Sequence, residues 1–154
     1  MRKDILKKQN GITLIVLIIT IVVLLILASV TIRNIDTGTD IRNYNYMCAD
    51  IELLKSKIIN YYNEKAQIPN NKKAQLPITG TAFNAKTRLE GQASSRDNDN
   101  YYQIDITKLY NITLNYGGGT LENEDIYIIN EQSFEIYYLK GAKYENTTYH
   151  TKKQ

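Results

Sequence analysis

One cysteine and one histidine among 154 residues leave little material for site chemistry. With Cys48 alone, no disulfide can form within the chain. A structural zinc needs several Cys or His ligands, and a nucleophilic site needs a base beside its nucleophile. His150 has no second His and no Cys pair to join, so neither constellation can be assembled. The chain is therefore expected not to be an enzyme, with no catalytic, cofactor-binding or metal residue assigned and no cofactor required. Cys48 lies beside an apolar helix stripe and is read as a small buried hydrophobe; a disulfide between chains is the sharper alternative.

Charge is also missing from most of the molecule. The whole net charge of +3 lies in residues 1–11, where Arg2, Lys3, Lys7 and Lys8 face Asp4, and the basic and acidic residues after Gly11 cancel. A neutral head lacks the clustered Lys and Arg that neutralise phosphates, so no nucleic acid is expected as partner. From residue 12 to residue 32 there is no charge, no Gly and no Pro at all.

What fills that gap is an unbroken apolar run, ITLIVLIITIVVLLILASVTI. Some 20 such residues at ~1.5 Å each match the ~30 Å hydrocarbon core of a bilayer. A single segment crosses there only as a helix, because each backbone N–H and C=O must find its partner inside it. The positive charge in front of the run places the N-terminus in the cytoplasm and the C-terminal part outside. A cleaved secretory signal fits poorly. Its apolar core would be shorter, and the best small-residue site, Ile26-Leu27-Ala28, falls inside the run.

Lys7-Lys8-Gln9-Asn10-Gly11 followed by Ile12-Thr13-Leu14-Ile15 resembles the leader and methylation motif of type IV prepilins and type II secretion pseudopilins. In that family a short basic leader ends in Gly, and a membrane-embedded prepilin peptidase cuts after it and methylates the new N-terminus. The resemblance implies cleavage between Gly11 and Ile12, with Ile12 becoming the N-methylated residue. The match departs from the family at the fifth mature position. The usual Glu, which meets the terminal amine of a neighbouring subunit, is here Val16. A lone buried carboxylate is costly and so draws a partner in; Val16 removes that pull, as in some minor subunits. The first mature residue is Ile rather than the commoner Phe or Met. The resemblance implies prepilin peptidase, other pilin subunits, membrane lipid and an inner-membrane assembly platform as partners, and a place first in the cell membrane and then in an extracellular filament. The alternative is an uncleaved, single-pass, membrane-anchored extracellular binding domain.

The expected organisation is a leader over 1–11, a transmembrane and then amphipathic spine helix over 12–65, and a globular β head over 66–154. Asp36, Thr37, Gly38 and Thr39 are poor helix formers, so a hinge near Gly38 is expected. Beyond it, Tyr44, Met47, Ile51, Leu54, Ile58 and Tyr61 or Tyr62 recur at three- and four-residue spacing and make one apolar face. Asp50, Lys57 and Glu64 are read onto the opposite face. Pro69 ends the helix. Residues 70–100 read as loop with one short strand, and 91–100 as the most loop-like stretch. Strands are expected over 101–106, with Tyr102, Ile104 and Ile106 on one face, and over 112–114. The pair 125–130 and 134–139 forms a hairpin at the centre of the sheet, with Ile126, Ile128 and Ile136, or their alternates, toward the helix. Residues 144–150 add an edge strand. The fold class is α+β, a long N-terminal helix packed on a small antiparallel sheet in a pilin-like layout.

Four further motifs are weak. Gly117-Gly118-Gly119 is a turn, since no Lys-Ser/Thr and no helix follow it. Asp97-Asn98-Asp99-Asn100 begins like a calcium loop, but Lys108 stands where the bidentate Glu belongs. Nine tyrosines from Tyr101 to Tyr149 can pave a small sheet or offer a stacking surface to glycans. Asn111-Ile112-Thr113 and Asn146-Thr147-Thr148 match a short, common glycosylation pattern.

Overall fold

The structure, a computed structural model, describes residues 14–66 and 72–153, and their side chains except those of 30–37, 72 and 73. Cleavage residues Gly11 and Ile12 lie outside the described residues, as does Pro69. The chain divides into one compact unit ending at Asp36 and another from Thr37 onward.

A single helix, α1, runs over Leu14–Lys65. Gly38, where a hinge was expected, is itself helical. Two antiparallel sheets follow. The larger has the order β1-β2-β3-β4, built from Ile78–Phe83, Tyr101–Ile104, Tyr127–Asn130 and Ile136–Tyr138. The smaller pairs β5 (Ala142–Tyr144) with β6 (Thr147–Tyr149). Two 3-10 turns, Lys72–Gln75 and Ile106–Lys108, complete the regular elements among the described residues. The fold is α+β with small antiparallel sheets, as the patterning implied.

In the second unit the expected helix face is the buried one. Tyr44, Met47, Ile51, Leu54 and Ile58 all join the main core. The register explains what meets them. Tyr102 sits opposite Ile129, and Ile129 opposite Ile136, so one row crosses β2, β3 and β4. Tyr127 and Tyr138 form the next row. These rows share a cluster with the helix stripe. The alternates of β3, Tyr127 and Ile129, therefore face the helix, while Ile136 does so as anticipated.

Ile126 and Ile128 point the other way, into a second core with Tyr101, Tyr137 and Leu139. Phe83, Ala85, Leu89 and Ala93 cover it. The segment between β1 and β2 has little regular structure, yet it roofs the second face of the sheet. This is why all four positions of β3 are buried.

Several expectations are corrected. Strand β4 lies at an end of the sheet order, not at its centre. Its outer side is met by the chain terminus, where the Tyr138 N–H donates to the His150 carbonyl at 2.8 Å. Residues 112–114 form no strand. Asn111 turns with φ of 50°, and the segment instead lays Ile112 and Leu114 on the core. Ile106 belongs to a 3-10 turn capped by Asp105, whose side chain accepts from the Thr107 N–H. The region 144–150 holds the turn and second strand of the β5–β6 hairpin, in the smaller sheet rather than at the edge of the larger one, with Glu145 and Asn146 both at positive φ in the turn. At Gly141 (φ 73°) a Cβ would lie 2.5 Å from the Thr148 methyl, so only glycine lets the chain reverse there.

Candidate functional site

The first half of α1 is the most unusual surface of the chain. Its large aliphatic side chains from Leu14 to Leu27 are all exposed, from 47% at Val16 to 72% at Leu14. Each such side chain gains about 1.5–3 kcal/mol on full burial, so this surface strongly favours an apolar environment. Its hydroxyls need nothing from outside: Thr20 Oγ1 donates to the Leu17 carbonyl and Ser29 Oγ to the Ile26 carbonyl, both at 2.8 Å. Thr13 lies outside the described residues, and the side chain of Thr31 lies outside those described. Val16 is on this surface and places no carboxylate there. No helix among the described residues is long and apolar enough to cross a membrane. The described side chains cover residues 14–29, so both ends of the 12–32 run fall outside them.

The second unit, from Thr37 onward and called the head, is organised by aspartates instead. Asp50, read from the sequence onto the polar face, is 0% exposed. The correction has a long-range cause: the chain at Asn115 and Tyr116 crosses over α1 and delivers donors to it. Asp50 accepts from the Asn115 N–H at 2.9–3.0 Å, the Asn115 amide at 3.0 Å and the Tyr116 N–H at 2.7 Å. The Tyr127 hydroxyl lies 3.2 Å from it. A buried carboxylate is tolerated when donors surround it in this way.

Asp97 repeats the design on the other side of the sheet. It accepts from the Ser94 N–H at 3.1 Å, from the hydroxyls of Tyr101 and Tyr137 at 2.9 and 2.8 Å, and from the Ser133 hydroxyl. All of these partners are donors, which makes Asp97 an anchor for the 94–97 turn rather than the start of a cation loop. Asp125 accepts from the Tyr138 hydroxyl, and its carbonyl accepts from the Gly118 and Gly119 N–H groups. The triple glycine is a turn as expected, and it wraps Asp125 closely: a Cβ on Gly119 would lie 2.5 Å from the Asp125 carboxylate.

Burial, then the adjacent carboxylate, pushes each of these phenols well above the ordinary tyrosine range: Tyr127 beside Asp50, Tyr101 and Tyr137 beside Asp97, Tyr138 beside Asp125. The tyrosines thus mostly pave and lock the sheet. Tyr110 is exposed, and Tyr44, Tyr144 and Tyr149 form a small ring cluster with centroids 4.9–6.3 Å apart. Cys48 is free and partly buried against the main core, and burial pushes its thiol up. His150 is buried, with Nδ1 3.0 Å from the Tyr138 carbonyl. Among the described residues no group of three or more His, Cys, Asp or Glu is placed to hold a metal.

Sequence reasoning missed Asp50 and the roofing segment 83–93. A lone Asp in the middle of an otherwise apolar helix stripe is the signal that could have found the first. No family model matches the chain, and no match was found among curated proteins or solved structures.

Proposed function

We propose that this chain is a minor pilin- or pseudopilin-like subunit. It is cut by prepilin peptidase between Gly11 and Ile12, held in the cell membrane through the 12–32 run, and then moved into an extracellular type IV pilus or a secretion or uptake pseudopilus. The observation that carries this reading is a helix surface that is apolar all round and exposed throughout its described length, directly preceded in sequence by a basic leader ending in glycine. Such a surface requires lipid first and neighbouring apolar helices afterward. Both environments are what a pilin spine meets in turn.

Val16 supports the minor role. Without a carboxylate at that position, no buried charge in the apolar half fixes a neighbour's amine in register. The head is neutral and self-contained, suited to display outside the membrane.

The test is incorporation. In cells carrying a prepilin peptidase and a pilus assembly machinery, the chain is expected in filaments sheared from the surface, while Gly11→Leu stays in the membrane fraction. If the wild type stays in the membrane like the variant, the chain is an uncleaved anchored domain and the proposal falls.

A further inference from the structure

The head carries two cavities that share a wall. One, of about 430 Å³, is apolar and lies between the end of α1 and the β3–β4 turn, lined by Ile58, Ile59, Tyr62, Phe134 and Ile136. The other, of about 820 Å³, is polar and carries Arg96, Lys152 and Lys153. Lys55 and Glu135 border both.

The apolar cavity continues the main core outward: Ile58 and Ile136 belong to that core, and Tyr62 and Phe134 pack against it. Ile59 is 59% exposed, one residue beyond the buried Ile58. Phe134 holds its backbone in the left-handed region at φ of 61°, unusual for a bulky side chain. That conformation sets its ring edge-on to Tyr62, with centroids 5.7 Å apart, at the lip of the apolar cavity. A strained residue that presents an aromatic ring to an open groove is a feature that binding would retain.

The charge is equally uneven. The chain beyond Gly11 is neutral, yet four cations gather along this groove against the single carboxylate of Glu135. Glu135 is shared, accepting from Lys55 at 3.0 Å and from Arg96 at 3.1 Å. Lys152 reaches Glu52 and Lys153 reaches Glu145, both as solvent-exposed pairs. Exposed pairs are weak and exchange readily with an incoming carboxylate.

The complementary surface is on the same chain. In the turn over 121–124, Leu121 is an exposed aliphatic side chain, 44% accessible. Glu122 beside it is exposed and makes no ion pair among the described residues. Leu121 and Glu122 line neither cavity.

We propose that the groove beside Phe134 seats a second copy of this chain, with Leu121 of the second copy entering the apolar cavity and Glu122 meeting Arg96 and Lys152. The two patches share no residue, so one copy can seat a neighbour in its groove while its own turn enters the groove of another, a head-to-tail contact. It lies between heads and involves no residue of the apolar half of α1. It holds whether or not the chain is processed as a prepilin.

The test uses the full chain in detergent micelles and, as probe, a labelled synthetic peptide of residues 118–126. Fluorescence anisotropy is expected to show saturable binding. Ile59→Asp, or Arg96→Glu with Lys152→Glu, should weaken it at least tenfold, as should Leu121→Ser in the peptide. A peptide carrying Glu122→Lys should recover binding to the doubly reversed groove. Near-UV circular dichroism of each chain variant should match the wild type, since all three positions are exposed. Absence of saturable binding overturns the proposal, as do equal affinities across the groove variants or undiminished binding of the Leu121→Ser peptide.

Discussion

In the first half of α1 the polar side chains bond locally. The hydroxyls of Thr20 and Ser29 bond three residues back within their own helix. In the head the polar side chains reach far. Asp50 gathers donors from Asn115, Tyr116 and Tyr127, and Asp97 gathers them from Ser133 and Tyr137. Hydroxyls that bond to their own helix's carbonyls, as those of Thr20 and Ser29 do, ask nothing of apolar surroundings, lipid or protein. A head whose buried carboxylates each tie two or three chain segments together has one arrangement only. The contrast separates a part whose described hydroxyls bond only within their own helix from a part held together by long-range bonds.

The strongest way to break this contrast is at Asp50. Asp50→Ala leaves the Asn115 and Tyr116 N–H groups and the Asn115 amide without their acceptor, while the Tyr127 hydroxyl keeps the Tyr116 carbonyl at 3.1 Å. A donor cut off from water costs about 1–3 kcal/mol, and Asn115 is itself exposed while Tyr116 is half-buried, so the head should lose about 2–3 kcal/mol. Urea unfolding of the full chain in detergent, followed by near-UV circular dichroism, reads this directly. A loss under ~1 kcal/mol would show that the latch is not structural.

Alkali attacks the same locks from the phenol side. Unfolded tyrosine titrates near pH 10, and Tyr101, Tyr127, Tyr137 and Tyr138 are raised above that in the fold by burial and by their aspartates. A folded value above the unfolded one means the stabilisation is fully present below about pH 10 and is lost as pH climbs toward the folded values. The urea midpoint should hold from neutral pH to about pH 9 and fall steeply above about pH 10. Phenolate absorbance should report these four groups only as the head unfolds. Ordinary titration of all thirteen tyrosines in the folded chain would contradict the assignment.

Smaller still is the effect of a single methyl. Gly119→Ala would press a Cβ against the Asp125 side chain, an overpacking worth about 1–3 kcal/mol. The same urea series measures it. At the other end of the comparison, Thr20→Val removes a hydroxyl that serves only its own helix. It should leave the head's urea midpoint unchanged and alter stability by about 0.5 kcal/mol or less.

The parts of the fold that could be read in advance are those governed by local spacing. The stripe from Tyr44 to Ile58 is periodic, and every member is buried. The runs around Tyr127–Asn130 and Ile136–Tyr138 are β-branched and aromatic with a short polar link, and they pair. What could not be read depends on segments far apart in the chain. Asp50 has a polar identity at a helix position, and only the crossing of residue 115, sixty-five positions later, buries it. Ile128 looks like a candidate for the helix side until Leu89 and Ala85 supply a second core on the other face. Strand β4 has the composition of a central strand, but the chain terminus rather than another strand covers its outer side. The cleavage motif is the reverse case. It is legible from consecutive residues alone, and Gly11 and Ile12 lie outside the described structure.

The central claim is that this apolar half is a processed spine, and the intact mass of the chain tests it most directly. Co-expressed with a prepilin peptidase and extracted in detergent, the chain should lose its first 11 residues, begin at Ile12 and carry one added methyl group there, whereas Gly11→Leu should retain Met1. An unshortened, unmethylated wild-type chain under the same conditions would contradict the account.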